Sequence, residues 1–535
     1  MQQLKNRYWV WVALFAIILF SGAIRVRLLD VPLERDEGEY AYAGQLILDG
    51  VPPYAEVYNM KMPGIYAAYA LIMAIFGQTL TGIHLGLLVI NTATIFLVFL
   101  LGKKLFDPVA GVVAAAAYAL LSSGQNILGF TANAEHFVIL PAVGGILLLT
   151  NAIDYQKWRS LITGAVLLGL AFMMKQHGAA FIVFGGLYLF WAEIWRRPFN
   201  WKLFAAKGIV FAAGAMLPFA ATCIILWWYG VFGKFWFWTF DYAAKYVSAV
   251  PLSESPEYFK VSIIPVVRPA ILLWILAGVG LTGLWWNKKA HQHRLFMIGF
   301  LLFSFLSVCP GFYFRNHYFI LMLPVVALLG GVGISSIQTL FVKSRMATTG
   351  GAISILLALL ALYHTVYLQR NYFFVMSPAG VARSTYGANP FPESLEIARF
   401  IKEHTTKADR IAVLGSEPQI YFYSDRRSAT GYVYTYALME YHDYARKMQE
   451  EMIREIESHR PKFLVFVNLP ASWLPGVDSE NLIFEWFNQY RDKYYRKVGI
   501  IDILSLEQTV YRWGWECENY TPRSSCWVCV FQRKD

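Results

Sequence analysis

Long apolar runs broken by short polar stretches dominate the first two thirds of the chain. Runs near 8–28, 80–101, 108–124, 137–153, 160–175, 178–195, 204–229, 267–286, 294–309, 317–341 and 349–368 approach the roughly 20 residues a bilayer-spanning helix needs. They predict about eleven transmembrane helices. Residues 65–77 are apolar but too short to span, and suit a re-entrant or interfacial helix. From Ser377 the pattern changes. A helical period over 393–404 leads to a strand-like run over 410–415, and a second helical period over 441–459 leads to a second run over 462–467. Such alternation suggests a small parallel sheet in a soluble α/β domain. The expected division is a transmembrane domain over 1–375, whose first outer loop is 29–79, and a C-terminal extracytoplasmic α/β domain over 376–535.

Composition agrees with this class. The chain is 57% hydrophobic, with mean hydropathy +0.44, too apolar for a soluble protein. It reads as a polytopic α-helical membrane protein. The net charge of +11 does not imply nucleic acid, because Lys and Arg sit mostly in short loops between apolar runs. With the N-terminus cytoplasmic, the inner loops are Lys103-Lys104, Gln156 to Arg159, Arg196 to Lys202, Asn287 to Arg294 and Lys343-Ser344-Arg345. Each is basic, as positive-inside topology requires, and an odd span count puts the C-terminal domain outside. The basic start and first apolar run resemble a signal peptide. No convincing small-residue cleavage site follows, and Arg25 and Arg27 come next, so the run reads as a retained first span in a cell (inner or plasma) membrane.

There are five cysteines. Cys223 and Cys309 lie in apolar runs and suit packing. Cys526-x-x-Cys529 fits a redox pair or half a zinc site. Without a second CxxC, and in an oxidising compartment, a disulfide is the favoured reading. The C-terminal segment carries no GxGxxG and no P-loop, and Gly415-Ser416-Glu417 after a strand is too weak a signal to count.

The chemistry-bearing residues gather on the outer side of this topology. Glu34, Asp36, Glu37 and Glu39 fall within six positions, in a chain only 15% charged. Carboxylates near hydrocarbon are costly, so such a cluster marks a functional site by default. Glu135 and His136 lie between the third and fourth runs, Lys175 and His177 at the end of the fifth, and Arg315 and His317 open the tenth. A site of this kind suits a lipid carrying a charged head, such as a lipid-phosphate sugar. A phosphate leaves as a stable anion and needs cations to hold it. An incoming hydroxyl is a poor nucleophile and needs a carboxylate base. Asp36, Glu37 and Glu135 supply acids, and Lys61, Lys175, Arg315 and His317 supply cations. A divalent ion held by carboxylates is an alternative to a cationic side chain.

Each residue also has an ordinary explanation. Asp36-x-x-Glu39 reads as a capping box for a short helix ending near Leu48 and closed by Asp49-Gly50. Lys61 suits snorkelling to the interface, Arg315 an outer-loop charge, and Glu135 a helix N-terminus. His136 and His317 suit hydrogen-bonded structural roles. Lys175 interrupts an apolar stretch and calls for a partner.

The segments Leu33 to Tyr42, Gly50-Val51-Pro52-Pro53-Tyr54, Lys61-Met62-Pro63-Gly64 and Arg315-Asn316-His317-Tyr318-Phe319 resemble the family 39-type GT-C glycosyltransferases. These are the bacterial relatives of protein O-mannosyltransferases and of the lipid A aminoarabinose transferase. The resemblance covers roughly residues 5–370. It implies an inverting transferase that uses a polyprenyl-phosphate-linked sugar on the extracytoplasmic face. It also implies Asp36 as base with Glu37 beside it, Glu135 as a second acid, and Lys61, Arg315 and His317 near the carrier phosphate. Some relatives place an acid directly before the loop lysine, where it helps hold a metal. Here that residue is Met60, so metal use does not carry over. The outer domain has no motif that names the acceptor, whether lipid, glycan or protein.

Two other functions fit parts of the pattern. A transporter or flippase of a charged lipid or solute would use the same charges as a binding cavity, but favours mid-membrane charges and internal repeats. A non-enzymatic assembly or receptor protein would work through its outer domain. Membrane lipids are expected partners in all cases.

Overall fold

The computed structural model describes residues 8–343 and 347–534. The basic start at residues 1–7 and the Ser344-Arg345 part of the last inner loop lie outside the described residues. Every predicted run is helical. In chain order the principal helices are α1 Tyr8–Arg27, α2 Arg35–Leu48, α3 Pro63–Phe76, α4 Leu80–Leu105, α5 Pro108–Leu121 and α6 Ala134–Tyr155. They continue as α7 Trp158–Met174, α8 Ala179–Ile194, α9 Trp201–Trp228, α10 Ser255–Val267, α11 Ile271–Trp286, α12 Arg294–Leu306, α13 Leu323–Lys343 and α14 Ala347–Leu368.

Among the described residues, eight helical segments are long and apolar enough to cross a membrane, and the chain is a multi-pass membrane protein. Three of the eleven predicted spans are shorter helices. These are α5, α7 and α12, with 14, 17 and 13 residues. At about 1.5 Å rise per residue they fall short of a hydrocarbon core of roughly 30 Å.

Close approach of these helices rests on small residues. A Cβ on Gly280 of α11 would lie 1.8 Å from the Leu329 carbonyl oxygen of α13. At one end of the bundle sit the basic loops, where Lys104 meets Asp154 at 2.5 Å and Lys207 meets Glu193 at 2.7 Å.

At the other end lie α2 and α3. α2 begins at Glu34, whose side chain accepts from the Glu37 backbone N–H while the Glu37 side chain accepts from the Glu34 N–H. The capping box is therefore Glu34 with Glu37, not Asp36 with Glu39, and Asp36 is left free of cap duty. The chain leaves α2 through Asp49 and through Gly50 at φ +82°, as the sequence predicts. α3 starts on Pro63 and packs so tightly on the end of α7 that a Cβ on Gly64 would lie 2.3 Å from the Met173 carbonyl oxygen.

The C-terminal domain adds α15 Phe391–Glu403, β1 Arg410–Leu414, α16 Gln419–Ser424, β2 Arg427–Ser428, α17 Ala445–His459 and β3 Phe463–Asn468. It ends with α18 Leu482–Tyr494, β4 Tyr495–Ile503, β5 Thr509–Trp513 and β6 Trp527–Arg533. One six-stranded sheet runs in the order β2-β1-β3-β6-β4-β5. Only the β2-β1-β3 side is parallel, and the remaining pairings are antiparallel. The expected parallel sheet is thus half of a mixed one. The short link between β4 and β5 allows only an antiparallel hairpin. The five cysteines are free, which corrects the expected Cys526–Cys529 disulfide. Cys529 lies within β6 and Cys526 just before it. Three positions along an extended strand separate side chains by roughly 10 Å and turn them to opposite faces.

The two parts meet through α2. The Leu33 N–H donates to the Tyr423 hydroxyl and the Ser428 N–H to the Tyr42 hydroxyl, both at 2.8 Å. A Cβ on Gly38 would come within 2.6 Å of the Gln419 nitrogen. α2 is thus held between the bundle and the C-terminal sheet.

Candidate active site

Asp36 stands in the first turn of α2, one residue past Arg35, and turns its carboxyl toward the loop that leads into α3. There it meets the Lys61 ammonium at 3.1 Å, with both side chains largely buried. The Lys61 loop is fixed from two sides. Its carbonyl accepts from the Tyr54 hydroxyl at 2.6 Å, and the Met60 carbonyl accepts from the Gln176 amide at 2.8 Å. The ammonium also faces the ring of Tyr40 at 5.4 Å.

A second charged pair lies beside the first. Glu135, in the first turn of α6, is ion-paired with Lys175, the residue that ends α7. This is the partner the lone lysine called for. The His317 Nε2 is 3.9 Å from Glu135. The Lys175 ammonium also lies 4.1 Å from the centre of the Tyr318 ring. The charge that acts most on Asp36 is the Lys61 ammonium, with Lys175 and the His317 ring also within reach. Five predicted site residues from four distant segments therefore share one hollow at one end of the bundle.

Two predicted residues are placed differently. Glu37 is fully buried and turns away from Asp36. Its carboxylate accepts from the Ala132 N–H at 2.6 Å and meets His84 Nε2 at 3.0 Å, besides closing the α2 cap. It ties α2 to the strand of chain that leads into Glu135. Arg315 is exposed at the mouth of the hollow, with its guanidinium 5.3 Å from the Tyr313 ring. Among the described residues no carboxylate pairs with it. His136 is buried, and neither ring nitrogen has a hydrogen-bond partner among the described residues, unlike the bonded structural role expected for it.

Two features of the site have no local sequence signature. Glu39, whose spacing predicts a cap residue, is fully buried one turn along α2 from Asp36, where it accepts from the Asn59 amide at 2.7 Å and the Tyr66 hydroxyl at 2.5 Å. The four-acid cluster was the signal, but spacing alone cannot say which carboxyl faces which neighbour. The other is the span 230–266, which had no predicted role. It folds into the short helices Phe232–Trp236 and Ala243–Val247 around a π-helical turn, followed by α10. Tyr242 there donates to Glu440 of the C-terminal domain, and Tyr246 stacks on Tyr313 at 4.6 Å.

The site's charges tune one another. Burial pushes the Asp36 carboxyl up, but Lys61, His317 and Lys175 more than offset it and hold it below the usual carboxylate range. Burial lowers the Lys61 ammonium, and Asp36 and Glu39 reverse this, so that it stays above the usual lysine range. Burial lifts Glu39 to about 7 against the pull of Lys61. Asp36 is thus an ionised acceptor beside a retained cation at neutral pH. Among the described residues no group of three or more His, Cys, Asp or Glu could hold a metal ion. Asp36 and Glu135 each face an ammonium.

An apolar cavity of about 590 Å³ adjoins the Lys61 loop, lined by Pro63, Gly64, Ala67, Met173, Leu226 and Tyr229 among others. It opens between α3, α7 and α9.

Known proteins resemble this chain. A family model described as dolichyl-phosphate-mannose-protein mannosyltransferase matches residues 60–227. The undecaprenyl phosphate-alpha-4-amino-4-deoxy-L-arabinose arabinosyl transferase of Pseudomonas aeruginosa is 25% identical over 363 residues, which cover 62% of this chain. The match spans 61% of that relative's length. ArnT from Cupriavidus metallidurans, bound to undecaprenyl phosphate, aligns with TM-score 0.59 at 14% identity over 97% of each chain. The Archaeoglobus fulgidus oligosaccharyltransferase AglB, in complex with an inhibitory peptide and a dolichol-phosphate, aligns with TM-score 0.54 at 13% identity. That alignment covers 97% of this chain and 75% of the other. The fold is the GT-C fold, with the sheet domain seated on the end of the bundle that carries α2.

Proposed function

We propose that this protein is an integral-membrane glycosyltransferase. It moves a sugar from a polyprenyl-phosphate-linked donor to a hydroxyl acceptor on the extracytoplasmic face, with inversion. The observation that carries this reading is the Asp36–Lys61 pair at 3.1 Å, beside Lys175 and under the unpaired Arg315. One hollow thus holds an ionised base and the cations an anionic leaving group needs.

Lys61 and Arg315 hold the donor phosphate by charge-assisted hydrogen bonds. Lys175, anchored on Glu135, adds positive potential. Asp36 takes the proton of the acceptor hydroxyl as its oxygen attacks the anomeric carbon. The bond from that carbon to the phosphate oxygen breaks, and the carrier phosphate leaves as an anion. Attack opposite the leaving group inverts the configuration. The apolar cavity beside the Lys61 loop gives the polyprenyl chain room next to its head group.

The relatives support the donor class: an undecaprenyl-phosphate-dependent transferase in Pseudomonas aeruginosa and a neighbour structure holding undecaprenyl phosphate. The basic loops at the far end of the bundle support a cytoplasmic N-terminus and an outer C-terminal domain in the cell membrane. The charges gather at one end rather than along a central path, which speaks against a transporter. The test is to incubate purified protein with radiolabelled polyprenyl-phosphate sugars and a membrane extract. Labelled acceptor with the parent and none with Asp36→Asn is the expected result. No label from any donor would overturn the reading.

A further inference from the structure

Segment 433–440 of the C-terminal domain reaches into the charged hollow. Tyr434 and Tyr436 alternate with buried Val433 and Thr435, and both tyrosines remain partly open. The segment is held rigidly. The Thr435 N–H donates to the Ser416 hydroxyl at 2.9 Å, and Tyr436 donates to the Ala471 carbonyl at 2.7 Å. The Tyr436 hydroxyl also accepts from Arg35 at 3.0 Å. Tyr434 packs edge-on against Tyr436, with ring centroids 4.7 Å apart. Its ring centroid lies 6.0 Å from the Lys61 ammonium, and Asp36 is within electrostatic reach. Among the described residues its hydroxyl makes no hydrogen bond, although the hydroxyls of Tyr42, Tyr54, Tyr58 and Tyr66 all do.

We infer that Tyr434 is the wall against which the donor's sugar ring lies, so that the C-terminal domain takes part in sugar selection. This rests on the transferase reading above. A sugar esterified to a phosphate held by Lys61 begins one bond beyond that phosphate. A flat aromatic face about one sugar ring away from the ammonium meets the C–H face of the ring, and the free phenol is positioned for a sugar hydroxyl. Tyr436 and Arg35 act on the sugar only through Tyr434, by fixing its orientation.

The test uses the whole 535-residue chain in detergent and measures binding, not turnover. The probes are undecaprenyl phosphate and its glucosyl, mannosyl and 4-amino-4-deoxyarabinosyl esters. The parent is expected to bind at least one ester more tightly than the bare carrier. Tyr434→Ala should lose about tenfold of that preference while binding the bare carrier within about twofold of the parent. Tyr434→Phe, which keeps the ring, should retain most of the preference. If alanine disrupts folding, seen as lost binding of the bare carrier, Tyr434→Leu carries the same comparison. An unchanged ester-to-carrier ratio in the alanine or leucine variant overturns the inference, as does a parent that prefers no ester. Failure of the transferase reading is seen separately, as absence of label transfer by the parent.

Discussion

Arg35 donates to Glu417 at 2.8 Å, with both side chains buried, and so joins the helix that carries Asp36 to the first strand-to-helix turn of the C-terminal domain. The same guanidinium donates to the Ser416 carbonyl, Asn389 and the Tyr436 hydroxyl. The residue next to the proposed base is therefore the clamp between the two parts of the molecule. Arg35→Ala would leave Glu417 buried without its cation, a loss of about 3–5 kcal/mol. Limited proteolysis in detergent should then release the segment after α14 much faster than in the parent. Unchanged cleavage kinetics would dismiss the clamp.

Asp36→Asn keeps the size of the side chain but removes the base. Sugar transfer should fall by roughly 10²–10⁴-fold, while donor binding by Lys61 and Arg315 survives. Turnover and donor binding measured on the same preparation separate the two effects.

Arg315→Ala removes an exposed cation with no partner to strand, so stability should not change. Loss of a charge-assisted contact to phosphate is worth about 1.5–3 kcal/mol, or roughly 10–100-fold in donor affinity. Lys61→Ala should weaken donor binding similarly, but it also leaves the largely buried Asp36 without its cation. Its melting temperature should fall as well, and a pair of melting curves would show the contrast.

Glu37→Ala strands the Ala132 N–H and His84 and opens the α2 cap. A loss of roughly 1–3 kcal/mol is expected for the buried unmet groups, with lower activity following the loss of ordered α2. Glu37→Gln, which can still accept from Ala132, should recover part of the melting temperature. Equal losses in both variants would argue against a positioning role.

Glu39 gives a pH signature. Its carboxyl is raised from 4.5 to about 7 by burial. A group raised on folding favours the folded state when protonated, so its contribution is full below about 4.5 and is lost as pH rises through about 7. Glu39→Gln should flatten the stability profile across that window, by up to about 3 kcal/mol in the difference. Melting curves at a series of pH values test this, and a parent-like slope in the variant would refute it.

The chain's own pattern determined the membrane class, the positions of the apolar helices, the short helix 35–48 and the alternating elements of the C-terminal domain. Hydrophobic runs and cap residues act locally, and local rules are what a sequence displays. The same pattern singled out the acid loop, Lys61, Glu135, Lys175, Arg315 and His317, because a charge beside hydrocarbon is costly wherever the chain places it. Only the tertiary structure decided which of them face one another. On α2, Asp36, Glu37 and Glu39 point toward Lys61, His84 and Tyr66 respectively, because successive helical positions diverge by about 100°. The neighbours each one meets come from segments far away along the chain. The approach of Tyr434 to Lys61, the antiparallel half of the C-terminal sheet and the contacts of 230–266 were likewise invisible. Each depends on pairings between distant segments, for which no local residue pattern exists.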